Sequence, residues 1–285
     1  MDHDLMEAGW VSRGHGSIAT FELIRPTHVA DALAAHRVAE ETSAAYMAGG
    51  IDQINRMQDG AAPDRIIDLS RVQGLGDISE KFGALNIGAG VTHHRIETDP
   101  MIASLAPDLA AAWATFGNIR VRMAGTIGGN IMARHPNYDG PVLLAACGAR
   151  YVFEKPDGMT SLIDADSWPD APPGADAAFG ALLTRIVIPT GGNRRLVFDR
   201  SLKPVISVAV AVDGNGGGLA AMGCAFAEPV CVTFEVGGNA GEIAAEIVGA
   251  LPVPIRDAFA GSDYRRRMAR VLLERQIARL AEMGP

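Results

Sequence analysis

Residues 119–133 have the sequence IRVRMAGTIGGNIMA, in which three glycines fall within five positions and no apolar stripe of helical period is present. Glycines let a backbone approach a ligand closely, and main-chain N–H groups, the Thr126 hydroxyl and the Asn130 amide suit a diphosphate. The run matches neither GxxxxGK[ST] nor GxGxxG, so neither a Walker nor a Rossmann site is predicted. A strand–turn–strand flanked by solvated arginines explains the segment about equally well. The flanking arginines are Arg120, Arg122 and Arg134.

A second glycine pair lies upstream, in Ala48-Gly49-Gly50-Ile51-Asp52. A short apolar strand over residues 44–48 leads into it, and a helix start follows. Free N–H groups at a helix N-terminus can form an anion nest, although a plain tight turn is the better interpretation of this loop alone. Two such loops in one chain make phosphate binding as well supported as two ordinary turns.

Asp139 precedes a short apolar helix that is predicted to begin at Pro141. Its carboxylate can cap that helix or accept hydrogen bonds from ribose hydroxyls, and the two roles are compatible. The histidines at 93, 94 and 135 form no metal-ligand pattern, and the three cysteines form no CxxC pair. No GxSxG motif or other strong nucleophile is present, so we predict no metal site and no catalytic side chain in this chain.

Composition excludes several classes of protein. The 285 residues carry a net charge of −8 and are 48% hydrophobic, which is typical of a globular protein and argues against bulk binding to nucleic acid. No apolar run approaches the length of a membrane span. The first twenty residues are acidic and lack a hydrophobic signal core, so a cytoplasmic protein with reduced cysteines is expected.

The pattern of elements predicts an α+β protein built from several lobes. Residues 1–17 form a polar N-terminal extension. A small α/β lobe over 18–72 is followed by a larger α/β lobe over 73–190. A C-terminal lobe over 191–285 combines an antiparallel sheet with helices, and its glycine-rich turn at 213–218 is a strong hairpin signal.

Taken together, these motifs resemble the FAD-binding (medium) subunit of molybdenum hydroxylases, the group that contains carbon monoxide dehydrogenase and xanthine dehydrogenase. The resemblance runs from about Phe21 to the last helix, and it is the order and spacing of the motifs that make it specific. Its motifs are AGGID at 48–52, IDLSRV at 67–72, IGAGVTH at 87–93, IRVRMAGTIGGN at 119–130 with Pro136 and Asp139 in step, and SDYR at 262–265.

The resemblance implies an FAD-binding fold of the vanillyl-alcohol-oxidase type, made of two α/β lobes, followed by the C-terminal sheet with helices. It implies a heterotrimer in which a large subunit holds a molybdenum cofactor and a small subunit holds [2Fe-2S] clusters. Electrons would pass from those clusters to FAD in this chain and on to an external acceptor. The chain would then be an oxidoreductase subunit whose chemistry comes from its cofactor.

The resemblance also implies the residues that contact FAD. Residues 46–53 and 125–131 would hold the diphosphate, Asp139 the ribose side, and residues 116–117 and 182–183 the ring system. Arg200 or Lys203 would replace a lysine that the family often has nearby. The full expected set is Tyr46, Met47, Ala48, Gly49, Gly50, Ile51, Asp52, Gln53, Thr92, Phe116, Gly117, Val121, Gly125, Thr126, Gly128, Gly129, Asn130, Ile131, His135, Asp139, Leu182, Leu183, Arg200 and Lys203.

Two departures from the family pattern keep alternatives open. Ile51 stands where the family has a hydroxyl or imidazole side chain, which leaves only backbone contacts there, and residues 155–178 lack the usual family sequence. The alternatives are a flavin-free scaffold subunit of the same complex and a stand-alone flavin oxidoreductase. Flavin content and co-purification with the other subunits separate the three hypotheses.

Overall fold

The computed structural model of the chain describes residues 18–37, 43–168, 180–191 and 194–283. The predicted extension at 1–17 and part of the segment at 155–178 lie outside these residues. The described elements form three separate sheets with helices packed around them, so the mixed helix-and-sheet class is confirmed.

The first sheet has three parallel strands in the order β1-β3-β2. Helix α1 connects the first two strands, and α2 begins directly after the second, as expected for a parallel sheet that needs crossover connections. A 3₁₀ turn at Leu69–Arg71 follows the third strand. The elements are β1 (Glu22–Ile24), α1 (Val29–Arg37), β2 (Ala44–Met47), α2 (Ile51–Gln58) and β3 (Arg65–Asp68).

The second sheet has five strands in the order β4-β5-β8-β6-β7, and all of its pairings are antiparallel. The expected α/β lobe is therefore a helical insertion on an antiparallel sheet, since six helices lie between β5 and β6 in the chain. The strands are β4 (Ile78–Lys81), β5 (Ala84–Gly88), β6 (Arg150–Glu154), β7 (Thr160–Asp164) and β8 (Leu182–Pro189). The helices are α3 (His93–Thr98), α4 (Pro100–Leu105), α5 (Pro107–Trp113), α6 (Ile119–Ala124), α7 (Ile127–Met132) and α8 (Gly140–Ala146).

The third sheet is an antiparallel meander in the order β12-β11-β10-β9. Its central hairpin turns at residues 213–216, where the Asp213 carboxylate accepts hydrogen bonds from the amides of Asn215 and Gly217. Helices α9 and α10 follow and pack together. The elements are β9 (Arg195–Arg200), β10 (Ser207–Val212), β11 (Gly217–Gly223), β12 (Val230–Glu235), α9 (Ala240–Ala250) and α10 (Ser262–Glu282).

Helix α8 joins the second and third sheets into one core. All of its residues are buried, and it packs against β10 and β11. Side chains of β10 alternate between two clusters: Ala209 and Ala211 lie in the cluster that contains α8, while Val208, Val210 and Val212 lie with α9 and α10. Small alanines on one face allow the helix to approach the strand closely, and this placement between two clusters explains why β10 is buried throughout.

Candidate functional site

The first glycine loop joins β2 to α2. Gly50 occupies the N-cap position with φ +74°, a left-handed conformation that glycine adopts without strain, and no side chain caps the helix. The amides of residues 49–53 donate no hydrogen bond to any described residue. The N-terminus of α2 therefore presents a row of free donors, which favours an anionic ligand.

Gly49 places the two glycine loops in direct contact. A Cβ atom added at Gly49 would lie 1.8 Å from the Ala124 oxygen and 3.2 Å from the Gly125 Cα. Real Cβ atoms do not approach backbone this closely, so no other residue fits without separating the loops. Segments more than seventy positions apart in the chain thus meet at one place, as a shared ligand site requires.

The second glycine loop is more regular than its sequence predicts. The segment expected to be non-helical forms the short helices α6 and α7, separated by Gly125 and Thr126 in extended conformations. Asn118 caps α6 by accepting from the amides at positions 120 and 121, and Thr126 caps α7 by accepting from the Gly129 amide at 3.1 Å. These two caps stabilise helices that are too short to form from their own propensity.

The expectation that this loop offers a row of free amides is wrong. Its N–H groups are hydrogen-bonded within the chain. Only those polar groups of α7 and its neighbouring residues that remain exposed can therefore contribute to anion binding. The internal bonds run from Gly125 to Val121 O (2.6 Å), from Ile127 to Val91 O (2.9 Å), from Gly128 to Ala89 O (2.9 Å) and from Asn130 to Thr126 O (2.9 Å).

The arrangement nevertheless fits the implied dinucleotide. Among the described residues, the Asn130 Oδ1 is buried and has no hydrogen-bond partner, and such an orphaned acceptor is costly unless a donor reaches it. A ribose or flavin donor would supply that bond. Free amides at α2, the close approach of the two glycine loops at Gly49, and an unsatisfied acceptor on α7 together suit FAD.

His93 supports the second loop from below. Its ring is buried and packs on Gly125, its amide donates to Gly125 O at 3.0 Å, and its Nδ1 accepts from the Trp113 indole N–H at 3.1 Å. Burial, helped by the charge of Arg122, lowers the pKa of His93 to about 4. The ring is therefore neutral and acts as a spacer beneath the loop. Thr92 beside it caps α3 by accepting from the Arg95 amide.

Asp139 does not cap α8 with its side chain, so that part of the prediction is wrong. Its carboxylate is buried and pairs with Arg200 at 2.8 Å, and the Cys224 thiol lies 3.7 Å from it. Burial raises the pKa of Asp139, while Arg200 acts in the opposite direction. The second Arg200 nitrogen donates to Thr115 O at 2.8 Å. Arg200 thus ties β9 to the segments before Phe116 and at Asp139.

The residues expected around the ring system are mostly in the core. Phe116 is buried and packs against Trp113 and Phe198, with ring centroids 4.8 and 5.9 Å away. Leu182 and Leu183 are buried in two different apolar clusters. Gly117 beside Phe116 has φ +55°. Lys203 lies on the exposed turn between β9 and β10.

A polar cluster links α2 to residues 133–138. Asp52 and Arg56 form an ion pair at 2.6 Å, and Arg56 also donates to Ala133 O at 3.0 Å. His135 and Tyr138 stack with centroids 4.8 Å apart. Burial lowers the pKa of His135 and raises that of Tyr138. The sequence analysis missed Arg56, although its i, i+4 spacing from Asp52 is a recognisable signal.

Tyr46 is the other expected residue with defined partners. Its hydroxyl donates to Gly180 O at 3.2 Å, and its ring stacks on His36 with centroids 4.7 Å apart. Burial raises its pKa. Within the described ranges, no group of three or more histidine, cysteine, aspartate or glutamate side chains is placed to hold a metal ion. None of the helices that the structure describes combines the length and apolarity needed to cross a bilayer.

Comparison with known families identifies one match. Residues 19–191, which include both glycine loops and Asp139, match the family described as "FAD binding domain in molybdopterin dehydrogenase".

Two curated relatives illustrate the likeness in sequence. The glyceraldehyde dehydrogenase medium chain of Sulfolobus acidocaldarius is 29% identical over 160 residues, which is 54% of this chain and 57% of that one, so the match spans little more than half of that relative. The carbon monoxide dehydrogenase medium chain of Afipia carboxidovorans is 27% identical over 291 residues, covering 91% of this chain and 96% of that one.

Solved structures show the same fold. A chain of quinoline 2-oxidoreductase from Pseudomonas putida 86 superposes with a TM-score of 0.85 at 23% identity, over 94% of this chain and 99% of that one. A chain of carbon monoxide dehydrogenase from Oligotropha carboxidovorans gives 0.82 at 24% identity, over 91% and 97%.

Proposed function

The chain belongs to the family of FAD-binding domains of molybdopterin dehydrogenases, and from that premise we propose that it is the electron-transferring subunit of a heterotrimer. Its partners would be a large subunit with the molybdenum cofactor and a small subunit with [2Fe-2S] clusters. FAD would accept electrons from the clusters and pass them to an external acceptor. The proposal includes a cytoplasmic complex and an FAD fold of the vanillyl-alcohol-oxidase type, with lobes at 18–72 and 73–190 and a C-terminal domain at 191–285.

The contact between the two glycine loops is the observation that carries this proposal. Gly49 lies against Ala124, and the uncapped N-terminus of α2 follows directly after it in the chain. We propose that the amides of this N-terminus hold the diphosphate of FAD. Backbone N–H groups at a helix N-terminus bind an anion without requiring a positively charged side chain. Asn130 would accept from a hydroxyl of the cofactor.

The rest of the site positions the cofactor. The neutral His93 ring adds no positive charge beside the second glycine loop, and its contact with Gly125 fixes the position of that residue. The Asp139–Arg200 pair connects the loop beside Phe116 with the third sheet. Flavin supplies the redox chemistry when bound, and the chain supplies orientation, exclusion of water and a docking surface.

The first test is the flavin content of the full chain, purified alone and with its partners. We expect stoichiometric FAD, measured by absorbance after denaturation. Gly49→Ala is expected to reduce FAD affinity about tenfold or more, because overpacking at a rigid contact costs about 1–3 kcal/mol. Gly76→Ala is the matched control, since nothing lies within 4 Å of a Cβ at that position. Chain that stays free of flavin after reconstitution with FAD would contradict the proposal.

A flavin-free scaffold of the same complex is the second candidate. It is favoured by the second glycine loop, whose amides are already satisfied within the chain. The two candidates differ in one measurement, because a scaffold would assemble with the large and small subunits while carrying no flavin.

A further inference from the structure

Asp52 lies in the first turn of α2, next to the amides that we assign to the diphosphate. A carboxylate at this position has two ways to interfere with an anionic ligand. It can turn onto the free amides of its own helix, which attract any negative group, or it can repel the diphosphate directly. No side chain caps this helix, so the helix terminus itself does not hold the carboxylate; besides Arg56, the Tyr138 hydroxyl interacts with it.

Arg56 holds the carboxylate away from the helix terminus. Its Nε lies 2.6 Å from the Asp52 Oδ2, one turn further along α2. The same guanidinium donates to the carbonyl of Ala133 at 3.0 Å, which anchors it to the segment after α7. The pair is half-screened from water, with exposed side-chain fractions of 53% for Arg56 and 27% for Asp52.

We propose that Arg56 is a positioning residue for FAD, acting through Asp52: it draws the Asp52 carboxylate along α2 and neutralises it, so that the helix N-terminus stays open to the diphosphate. This inference rests on the proposed function. Arg56 itself lies a full turn from the free amides, so its effect on FAD depends on the presence of Asp52. That dependence separates it from an arginine that binds phosphate directly.

A double-mutant cycle on the full-length apo-chain tests the proposal, with the FAD dissociation constant measured by quenching of flavin fluorescence. Arg56→Ala is expected to weaken FAD binding about fivefold to tenfold, the size of a partly buried charge effect at a helix terminus. In the Asp52→Ala background the same substitution should change affinity less than about twofold, which is the range expected for uncoupled sites. Arg56→Gln, which keeps a donor near Ala133, should behave as Arg56→Ala.

The salt dependence of FAD binding is a second measurement, which a purely structural role of Arg56 would leave unchanged. In Arg56→Ala the repulsion from Asp52 is screened by added salt, so its deficit relative to wild type should shrink between about 50 and 500 mM NaCl. Arg95→Ala is the matched control: Arg95 also pairs with an aspartate four residues away, Asp99, and donates to a backbone carbonyl, that of Gly76. Its FAD affinity should match wild type.

An equal loss in both backgrounds would show that Arg56 acts on FAD directly, and no loss in either would show that it is not needed; either result overturns the inference. Both outcomes differ from failure of the proposed function, in which the wild-type chain itself does not bind FAD.

Discussion

At the residue scale, His93 shows how a titratable side chain is used as a neutral packing element. It is 4% exposed, accepts a hydrogen bond from Trp113, and supports Gly125 with its ring. A protonated imidazole would lose the acceptor that Trp113 needs and would be buried near Arg122. The sequence placed His93 beside Thr92 in a family motif. It did not predict that the His93 side chain is buried against the second glycine loop.

Stability should therefore fall in acid as His93 is protonated in the unfolded chain. Folded His93 stays neutral down to a pKa of about 4, whereas the unfolded residue binds its proton near 6.5. The contribution is complete above pH 6.5, declines as the pH falls, and is lost at about pH 4. The change amounts to about 3 kcal/mol. Urea unfolding from pH 7 to 4 measures it.

His93→Asn is the comparison, since the asparagine oxygen can accept from Trp113 and does not titrate. Its unfolding free energy should vary less with pH than that of the wild type across this window. Parallel pH profiles for the two proteins would show that other groups cause the acid dependence.

At the element scale, the Asp139–Arg200 pair fastens β9 to the start of α8. Arg200→Ala should lower the free energy of unfolding by about 1–2 kcal/mol, because the buried Asp139 carboxylate loses its charged partner. This expected loss of unfolding free energy is smaller than that for a fully buried ion pair, because the Arg200 side chain is 41% exposed. Chemical denaturation at neutral pH measures the loss.

Two further variants serve as controls for the stability measurement on Arg200→Ala. Asp139→Asn combined with Arg200→Ala should recover part of the loss, since no unpaired charge is then buried. Arg270→Ala removes an exposed arginine from α10 and should change stability little. Equal stability of Arg200→Ala and Arg270→Ala would mean that the pair does not fasten the elements.

Local sequence signals placed some elements correctly and missed others. The glycine-rich turn after β10 depends on neighbouring residues, and the hairpin of β10 and β11 forms around it as expected. Helices α6 and α7 were missed because each has only six residues and no apolar stripe. They exist because Asn118 and Thr126 cap them and because α3 and β8 lie beside them.

At the scale of the whole molecule, the apolar core extends beyond residue 191, where the family match ends. The cluster around α8 includes Leu196, Ala209, Ala211 and Ala221 from the third sheet. A chain ending at residue 191 contains the matched region yet exposes the α8 surface that these residues cover. We expect such a chain to self-associate, or to bind hydrophobic dyes and lose its near-UV circular dichroism signal.

Size-exclusion chromatography and thermal unfolding of the shortened chain beside the full chain check this expectation. A monodisperse shortened chain with a cooperative transition would show that the third sheet is dispensable for folding.

The amino-acid sequence by itself determined the α+β class, the order of the glycine motifs and the family, because turn chemistry, strand alternation and motif spacing are properties of neighbouring residues. Only the tertiary structure decided that Gly49 meets Ala124, that Arg200 pairs with Asp139, and that most amides of the second loop are already bonded. These contacts join residues far apart in the chain, and their geometry depends on how the three sheets and the helices between them pack together. A periodic pattern carries no information about which distant backbone atom a side chain will reach.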